Sequence, residues 1–292
     1  MIIDSHCHAW RYWPYQPEVP DPRTRSKVEL LLHEMELNGV SQAMIVCAQI
    51  DHNPTNNAYV AKMVRRYPDR LHQVVDLDSS WSRNYHGPGG AQRLRRLAAQ
   101  WPLRGFTHYL DRSDDGSWLG GPDGQAIFAA AAKLGLLASL SCYPHQLVAI
   151  RAVASRYPQV PVLLHHLGHP ALSQWPLRES LDAILSCARL PNIYVKLSGF
   201  VYAAPEKPWD FPYPAVQNLI KAEYEHFGPQ RMCWGSDYPV ASQFMTYQQA
   251  LEAFRSHCSF VPETDQAWIL GKTLAGLLRL GSNPVNISIR GS

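Results

Sequence analysis

The sequence predicts an α/β fold, a distorted single-domain (β/α)8 barrel of the TIM type, and three observations carry that prediction. Short apolar runs alternate with longer helical patterns eight times along the chain. Each run is too short for a buried helix, and several are rich in Val and Ile. The unusual polar residues gather at the C-terminal ends of those runs, the face on which such barrels carry their active sites.

The predicted strands span 2–8, 42–49, 71–78, 103–110, 136–143, 160–167, 192–199 and 231–237. Helical patterns occupy 26–38, 54–67, 89–100, 123–134, 145–156, 177–188 and 213–227, and 245–257 and 263–280 follow the last strand. Asn38-Gly39, Gly135 and Gly228-Pro229 stand just past three of those helices, where helix-ending residues belong. A doubly wound open sheet is the alternative, but no Gly-rich phosphate loop opens any helix. No low-complexity tract or linker divides the chain, so one barrel domain over 1–292 is expected.

With 292 residues, 46% of them hydrophobic, the chain can bury a large core. The net charge is +3, and the densest basic group, Arg93, Arg95 and Arg96, is no block, so no nucleic-acid partner is expected. No apolar stretch approaches the ~18–20 residues of a membrane span. No basic leader region precedes the first histidines, and the six cysteines form no CxxC, which reads as reduced thiols. The expectation is a soluble, cytoplasmic protein with a small-molecule partner, a homo-oligomer being left open.

Candidate chemistry begins at Asp4-Ser5-His6-Cys7-His8. Residues two apart on a strand share a face, so His6 and His8 project together, and Asp4 is expected on that face to orient an imidazole. His165-His166 ends strand 6 and Gly235-Ser236-Asp237 ends strand 8. Strand alternation lets only one of the two adjacent histidines face the interior. A mononuclear hydrolytic site needs about three ligands and an open position. His6, His8 and Asp237 could supply them, with His166 as a fourth ligand or a carbonyl-polarising group. Zinc is the first expectation for the ion and manganese the second. Alternatively, Asp237 acts as general base while the histidines polarise the carbonyl without metal. Around this centre, His108 on strand 4, His145 after strand 5 and Lys196 on strand 7 are candidates for substrate binding. So are Trp10 and Tyr12 in the aromatic loop after strand 1. The segment from Tyr202 to Pro214 has the same aromatic, proline-rich character, and the two loops suggest a pocket for a flat, partly apolar molecule. His33, His72, His86, His226 and His257 read as surface histidines.

With these residues in view, the chain resembles the amidohydrolase superfamily, in its amidohydrolase-2 branch. Asp4-Ser5-His6-Cys7-His8-Ala9-Trp10 is similar to that branch's D-x-H-x-H-x-W on strand 1. His166-Leu167-Gly168-His169-Pro170 is similar to its H-L-G-x-P, and Gly235-Ser236-Asp237-Tyr238-Pro239 to its G-S-D-[WY]-P. The resemblance places His166 at the family histidine and is nearest to the lactonase group of sugar lactonases and 2-pyrone-4,6-dicarboxylate hydrolase. It implies water attack on a lactone or related ester-like or amide carbonyl, with Asp237 as general base and His6, His8 and His166 as ligands or polarising groups. It also implies that a divalent ion serves some members while others work without one. Two departures stand out. Gly105-Phe106-Thr107 lacks the group's strand-4 arginine, leaving Arg112 in a different register as the nearby cation. Ser141-Cys142 ends strand 5 where the sister decarboxylases carry a histidine. A metal-dependent decarboxylase is therefore the second reading, and a non-catalytic small-molecule-binding barrel the third.

Overall fold

The computed structural model describes residues 1–16, 18–170, 178–203, 207 and 209–280, and all eight expected strands form within them. They are β1 (Ile3–Cys7), β2 (Gln42–Val46), β3 (Leu71–Asp76), β4 (Leu103–Tyr109), β5 (Leu137–Ser141), β6 (Val162–Leu164), β7 (Ile193–Leu197) and β8 (Met232–Trp234). They pair in sequence order, every pair parallel. The sheet closes on itself beyond β8. There the Asp237 N–H donates to the His6 carbonyl at 2.7 Å and the His8 N–H to the Tyr238 carbonyl at 2.6 Å. The strands are shorter than the apolar runs, because the residues at their C-terminal ends leave the ladder to line the mouth.

The helices are α1 (Val28–Leu37), α2 (Asn56–Arg66), α3 (Gly90–Gln100), α4 (Pro122–Leu134), α5 (Leu147–Arg156), α6 (Arg178–Ser186), a single turn α7 (Phe200–Ala203), α8 (Pro214–Phe227) and α9 (Tyr247–Arg255). Position 177, the expected start of α6, lies outside the described residues. The pattern expected as one helix over 263–280 breaks into α10 (Glu263–Ala267), a π-helical turn over Trp268–Lys272, and α11 (Thr273–Leu277).

Two apolar clusters hold the layers together. Ile3, Met44, Val74, Leu137, Leu163 and Cys233 fill the lower barrel and meet Leu274 and Leu278, so the C-terminal segment plugs that end. A larger cluster, including Phe106, Phe128, Ile220 and Phe254, packs the strands against the helices. Each such side chain, fully buried, contributes about 1.5–3 kcal/mol before entropy is counted. With the lower end apolar and plugged, polar chemistry is confined to the upper mouth. All six cysteines are buried and unpaired, and no described helix is long and apolar enough to cross a membrane.

Candidate active site

β1 does not run regularly into the mouth. Its register against β2 shifts between Asp4 and Cys7, a bulge of the kind that re-aims side chains at strand ends. Ile3 packs inside the barrel and Cys7 in the helix layer, so the shift changes the phase and sends both His6 and His8 inward. Their Nε2 atoms stand 3.3 Å apart. The same shift overturns the expectation for Asp4, which faces the helices instead of an imidazole. Its carboxylate accepts the Ser236 hydroxyl (2.5 Å), the Ser236 N–H (3.0 Å), the His6 N–H (3.0 Å) and the Tyr247 hydroxyl of α9 (2.9 Å). Asp4 therefore ties β1, the end of β8 and α9 together behind the site.

Asp237 follows β8 with a left-handed backbone (φ 56°) that turns its carboxylate into the mouth. Oδ1 lies 3.5 Å from His8 Nε2, 3.6 Å from His6 Nε2 and 4.0 Å from His166 Nε2. Oδ2 is buried and has no hydrogen-bond partner of normal geometry, although the Tyr202 hydroxyl also faces this carboxylate. Burial pushes the Asp237 carboxyl up from the usual carboxylate range, while His8 and Tyr202 act in the opposite direction. Gly235 lets β8 approach β1 closely, since a Cβ there would stand 2.8 Å from the backbone nitrogen and Cβ of His6.

The adjacent histidines both face inward, which corrects the expectation that one of them must face the helices. β6 ends at Leu164, and His166 and Leu167 adopt left-handed conformations (φ 47° and 55°), so alternation no longer applies. His166 bonds through Nδ1 to the Ser198 hydroxyl at 3.1 Å. It rests on Gly199, where a Cβ would come within 2.3 Å of that nitrogen. His165 lies below it, its Nε2 hydrogen-bonded to the Ser139 hydroxyl at 2.7 Å. Burial, reinforced by neighbouring imidazoles and Lys196, holds His6, His165 and His166 well below the usual histidine range, so all three are neutral near pH 7.

The donor set fits a divalent ion. A tetrahedral zinc with bonds of about 2.0–2.1 Å keeps its ligand atoms about 3.3–3.4 Å apart. The edges of the His6–His8–Asp237 triangle are 3.3, 3.5 and 3.6 Å. The His8 Nδ1–H donates to the Val46 carbonyl at 2.7 Å, which leaves the Nε2 lone pair for the ion. His6, His165 and His166 also bring ligand atoms within 4.8 Å of one another. Their rings pack closely, with centroids 4.4 and 4.5 Å from that of His6, and this trio lacks the carboxylate that completes the His6–His8–Asp237 triangle.

The other expected residues divide. His145 and Arg112 reach the rim of a cavity of about 740 Å3 that opens above Asp237, His8 and His166. Arg112 lies over the Tyr143 ring at 5.4 Å, and His145 bonds to the Asp114 carbonyl at 3.0 Å. Lys196 does not reach the cavity. It is fully buried beneath the imidazoles, Nζ 2.7 Å from the Ser139 hydroxyl and 3.2 Å from His6 Nδ1, and burial pushes its pKa down to about 7. Trp10 is fully buried as well. It stacks on His8 at 4.9 Å and donates to the Ala48 carbonyl, so it braces a histidine instead of walling the pocket.

Tyr12 points away, its hydroxyl on Glu18, toward a separate outer depression of about 1230 Å3 beside α1 and α2. His108 faces the helix side because Tyr109, the next residue on β4, takes the cavity face. His108 donates to the Leu77 carbonyl and stacks among Tyr85, His86 and Trp118. His72 and His86 are not surface histidines either. His72 is buried against Gln42, and His86 is paired with Asp114.

Tyr15 and Tyr202 line the cavity from the two aromatic loops expected to wall it, whereas Trp81, Tyr109, Ser141 and His169 were not singled out in the sequence as lining residues. Tyr109 and Ser141 end β4 and β5, and His169 and Tyr202 follow β6 and β7 closely, so strand-end position was a usable signal for these four. Trp81, five residues past β3, carried none. Of the aromatic segment 202–214, residues 204–206 and 208 lie outside the described residues, and Trp209 is exposed away from the cavity.

Imidazoles and a carboxylate converging at the C-terminal mouth of a closed parallel barrel define a hydrolytic barrel enzyme. The amidohydrolase family's sequence model matches residues 3–280, and the chain belongs to that family. It is similar to L-fucono-1,5-lactonases of Burkholderia ambifaria (25% identity, 82% of this chain and 80% of the relative) and Burkholderia multivorans (26%, 85% and 86%). Among solved structures, a Burkholderia multivorans amidohydrolase with bound zinc superposes with a TM-score of 0.78 at 22% identity, over 96% of this chain and 99% of that one. A probable 2-pyrone-4,6-dicarboxylic acid hydrolase from Acinetobacter baumannii with citric acid bound follows at 0.73 and 21%, over 95% and 99%. The 5-carboxyvanillate decarboxylase of Sphingomonas paucimobilis shares the fold at 0.65 and 16%, over 95% and 98%.

Proposed function

We propose that the chain hydrolyses a lactone, opening the ring by attack of an activated water on its carbonyl. The carrying observation is the division of labour within Asp237: Oδ1 faces three imidazoles, while Oδ2 is buried without a partner of normal geometry. Oδ1 can thus join His6 and His8 in holding a divalent ion, zinc first, with His166 beside them. Bound there, such an ion would polarise the carbonyl and lower the pKa of water. Oδ2 takes the proton from the attacking water. As the water oxygen bonds to the carbonyl carbon, the ring C–O bond breaks, and the proton held on Asp237 passes to the departing alkoxide, giving a hydroxy acid. The neutral His166 faces the region where negative charge develops on the carbonyl oxygen.

The similarity to L-fucono-1,5-lactonases supports a sugar-derived lactone. Among the described residues lining the cavity, Arg112 is the one lysine or arginine, which suits a substrate with at most one carboxylate. A decarboxylase is the second reading, since the same triangle would serve it. At the end of β5 the Ser141 hydroxyl instead pairs with His169 at 3.2 Å, which weighs toward hydrolysis.

The test is acid release from a panel of aldonolactones and simple lactones, alongside carbon dioxide release from aromatic acids. Lactone opening that falls by about 10²–10⁴ in kcat in Asp237→Asn, with KM little changed, is the expected result. Carbon dioxide release without lactone opening would reverse the assignment.

A further inference from the structure

We propose that Trp81 and Tyr109 form a ring-binding subsite on the β3–β4 side of the cavity. The indole of Trp81 stacks on the carbon–hydrogen face of a hydroxylated lactone ring, and the Tyr109 hydroxyl donates to one of its oxygens. The proposal rests on the lactonase reading and adds to it the residues that select the ring.

Trp81 lines the cavity and is 37% exposed, although a large apolar ring open to water forgoes the free energy of burial. It is nevertheless held in place. Its indole N–H donates to Asp76 Oδ2 at 2.8 Å. Asp76 is 3% exposed, and its carboxylate also collects the Gln49 N–H (2.7 Å) and the Ser79 hydroxyl (2.6 Å) and N–H (3.3 Å). Bonds to an ionised acceptor are short and strong, so a carboxylate fixed from β3 and its flanking loops anchors the indole by its edge. The edge is satisfied while part of the ring stays open to the cavity, which is the geometry of a platform.

Tyr109 supplies the second, independent observation. Its ring lies 4.8 Å from that of Trp81 with a 47° tilt, and it lines the same cavity. Its hydroxyl is buried and has no hydrogen-bond partner. A buried donor left unmade carries a penalty that a ligand oxygen at that point would remove. An apolar face and a waiting donor on neighbouring rings match a saturated ring with carbon–hydrogen faces and oxygen-bearing edges. An open-chain ester offers no such face.

The test compares wild type, Trp81→Ala, Trp81→Phe and Tyr109→Phe. Hydrolysis of five- and six-membered aldonolactones is measured, and binding of the matching non-hydrolysable aldonolactams is followed by calorimetry. Trp81→Ala should raise KM and lactam Kd about tenfold with kcat within about threefold, and Trp81→Phe should recover most of the loss. Tyr109→Phe should weaken lactam binding about fivefold or more. Asp76→Asn should shift KM in the same direction as Trp81→Ala, and the Trp81 variants keep the test independent of how well that variant folds. Turnover and lactam binding indifferent to Trp81→Ala would overturn the subsite and leave the lactonase reading standing. A wild type that neither opens these lactones nor binds the lactams overturns both. Trp81-dependent lactam binding without turnover supports the subsite and removes the lactonase reading.

Discussion

His8 is gripped from both ends: its Nδ1–H is spent on the Val46 carbonyl, and its ring stacks on a buried Trp10. The remaining Nε2 lone pair has little choice but to face His6 and Asp237. Protein purified without chelator should therefore carry about one zinc per chain, and His8→Gln should lower that content and weaken zinc binding at least tenfold by competition titration. Unchanged zinc affinity in that variant would remove His8 from the ligand set. At this scale the sequence was legible wherever a motif stood at a strand end, as with His6, His8, His166 and Asp237. It was misleading for Asp4 and Lys196, because their direction depends on the β1 bulge and on what lies beneath the imidazoles. Neither circumstance is a property of residue type. His108 and Tyr109 exchanged roles for a related reason: alternation says that neighbours face opposite ways, and only the closed barrel says which way is in.

The elements behave as devices for aiming side chains. β6 is three residues long, and its early end lets His165 and His166 both enter the barrel. The turn after β7 is cut to fit, since Gly199 (φ 58°) leaves space that a methyl group would take from the His166 ring. Gly199→Ala should cost about 1–3 kcal/mol of stability in denaturant unfolding and reduce kcat/KM more than tenfold, by strain and by displacing His166. Wild-type activity in that variant would show that His166 is dispensable where it stands. The periodicities of helix and strand were readable because each buries one regular face. The division of 263–280 was not, because Gly271 of the π-helical turn lies against the Met1 carbonyl, a contact between distant residues that no local pattern announces.

For the whole molecule, burial of so many neutral imidazoles couples folding to pH. Burial lowers His72, His108 and His169 to about 4, and His6, His165 and His166 also lie well below their ordinary value. Between pH 6.5 and 4 the unfolded chain binds protons at these sites that the folded chain does not, so they stabilise the fold above pH 6.5 and lose that contribution as the pH falls. Asp4, raised to about 6 by burial, and the likewise raised Asp76, Asp237 and Glu223 act with the opposite sign and offset part of it. The lowered imidazoles outnumber the raised carboxyls, so the melting temperature should fall from pH 7 to pH 4.5. A flat or rising profile in differential scanning calorimetry would show that the carboxyls prevail. The sequence by itself determined the eightfold alternation, the polar residues at strand ends and the histidine–aspartate chemistry they imply, because periodicity and residue type are local quantities. Only the tertiary structure decided which histidines converge, that Lys196 and Trp10 brace the site from beneath and beside it, and that Trp81 and Tyr109 wall the cavity. Those outcomes depend on bulges, left-handed turns and the closure of β8 onto β1, which join residues more than two hundred positions apart.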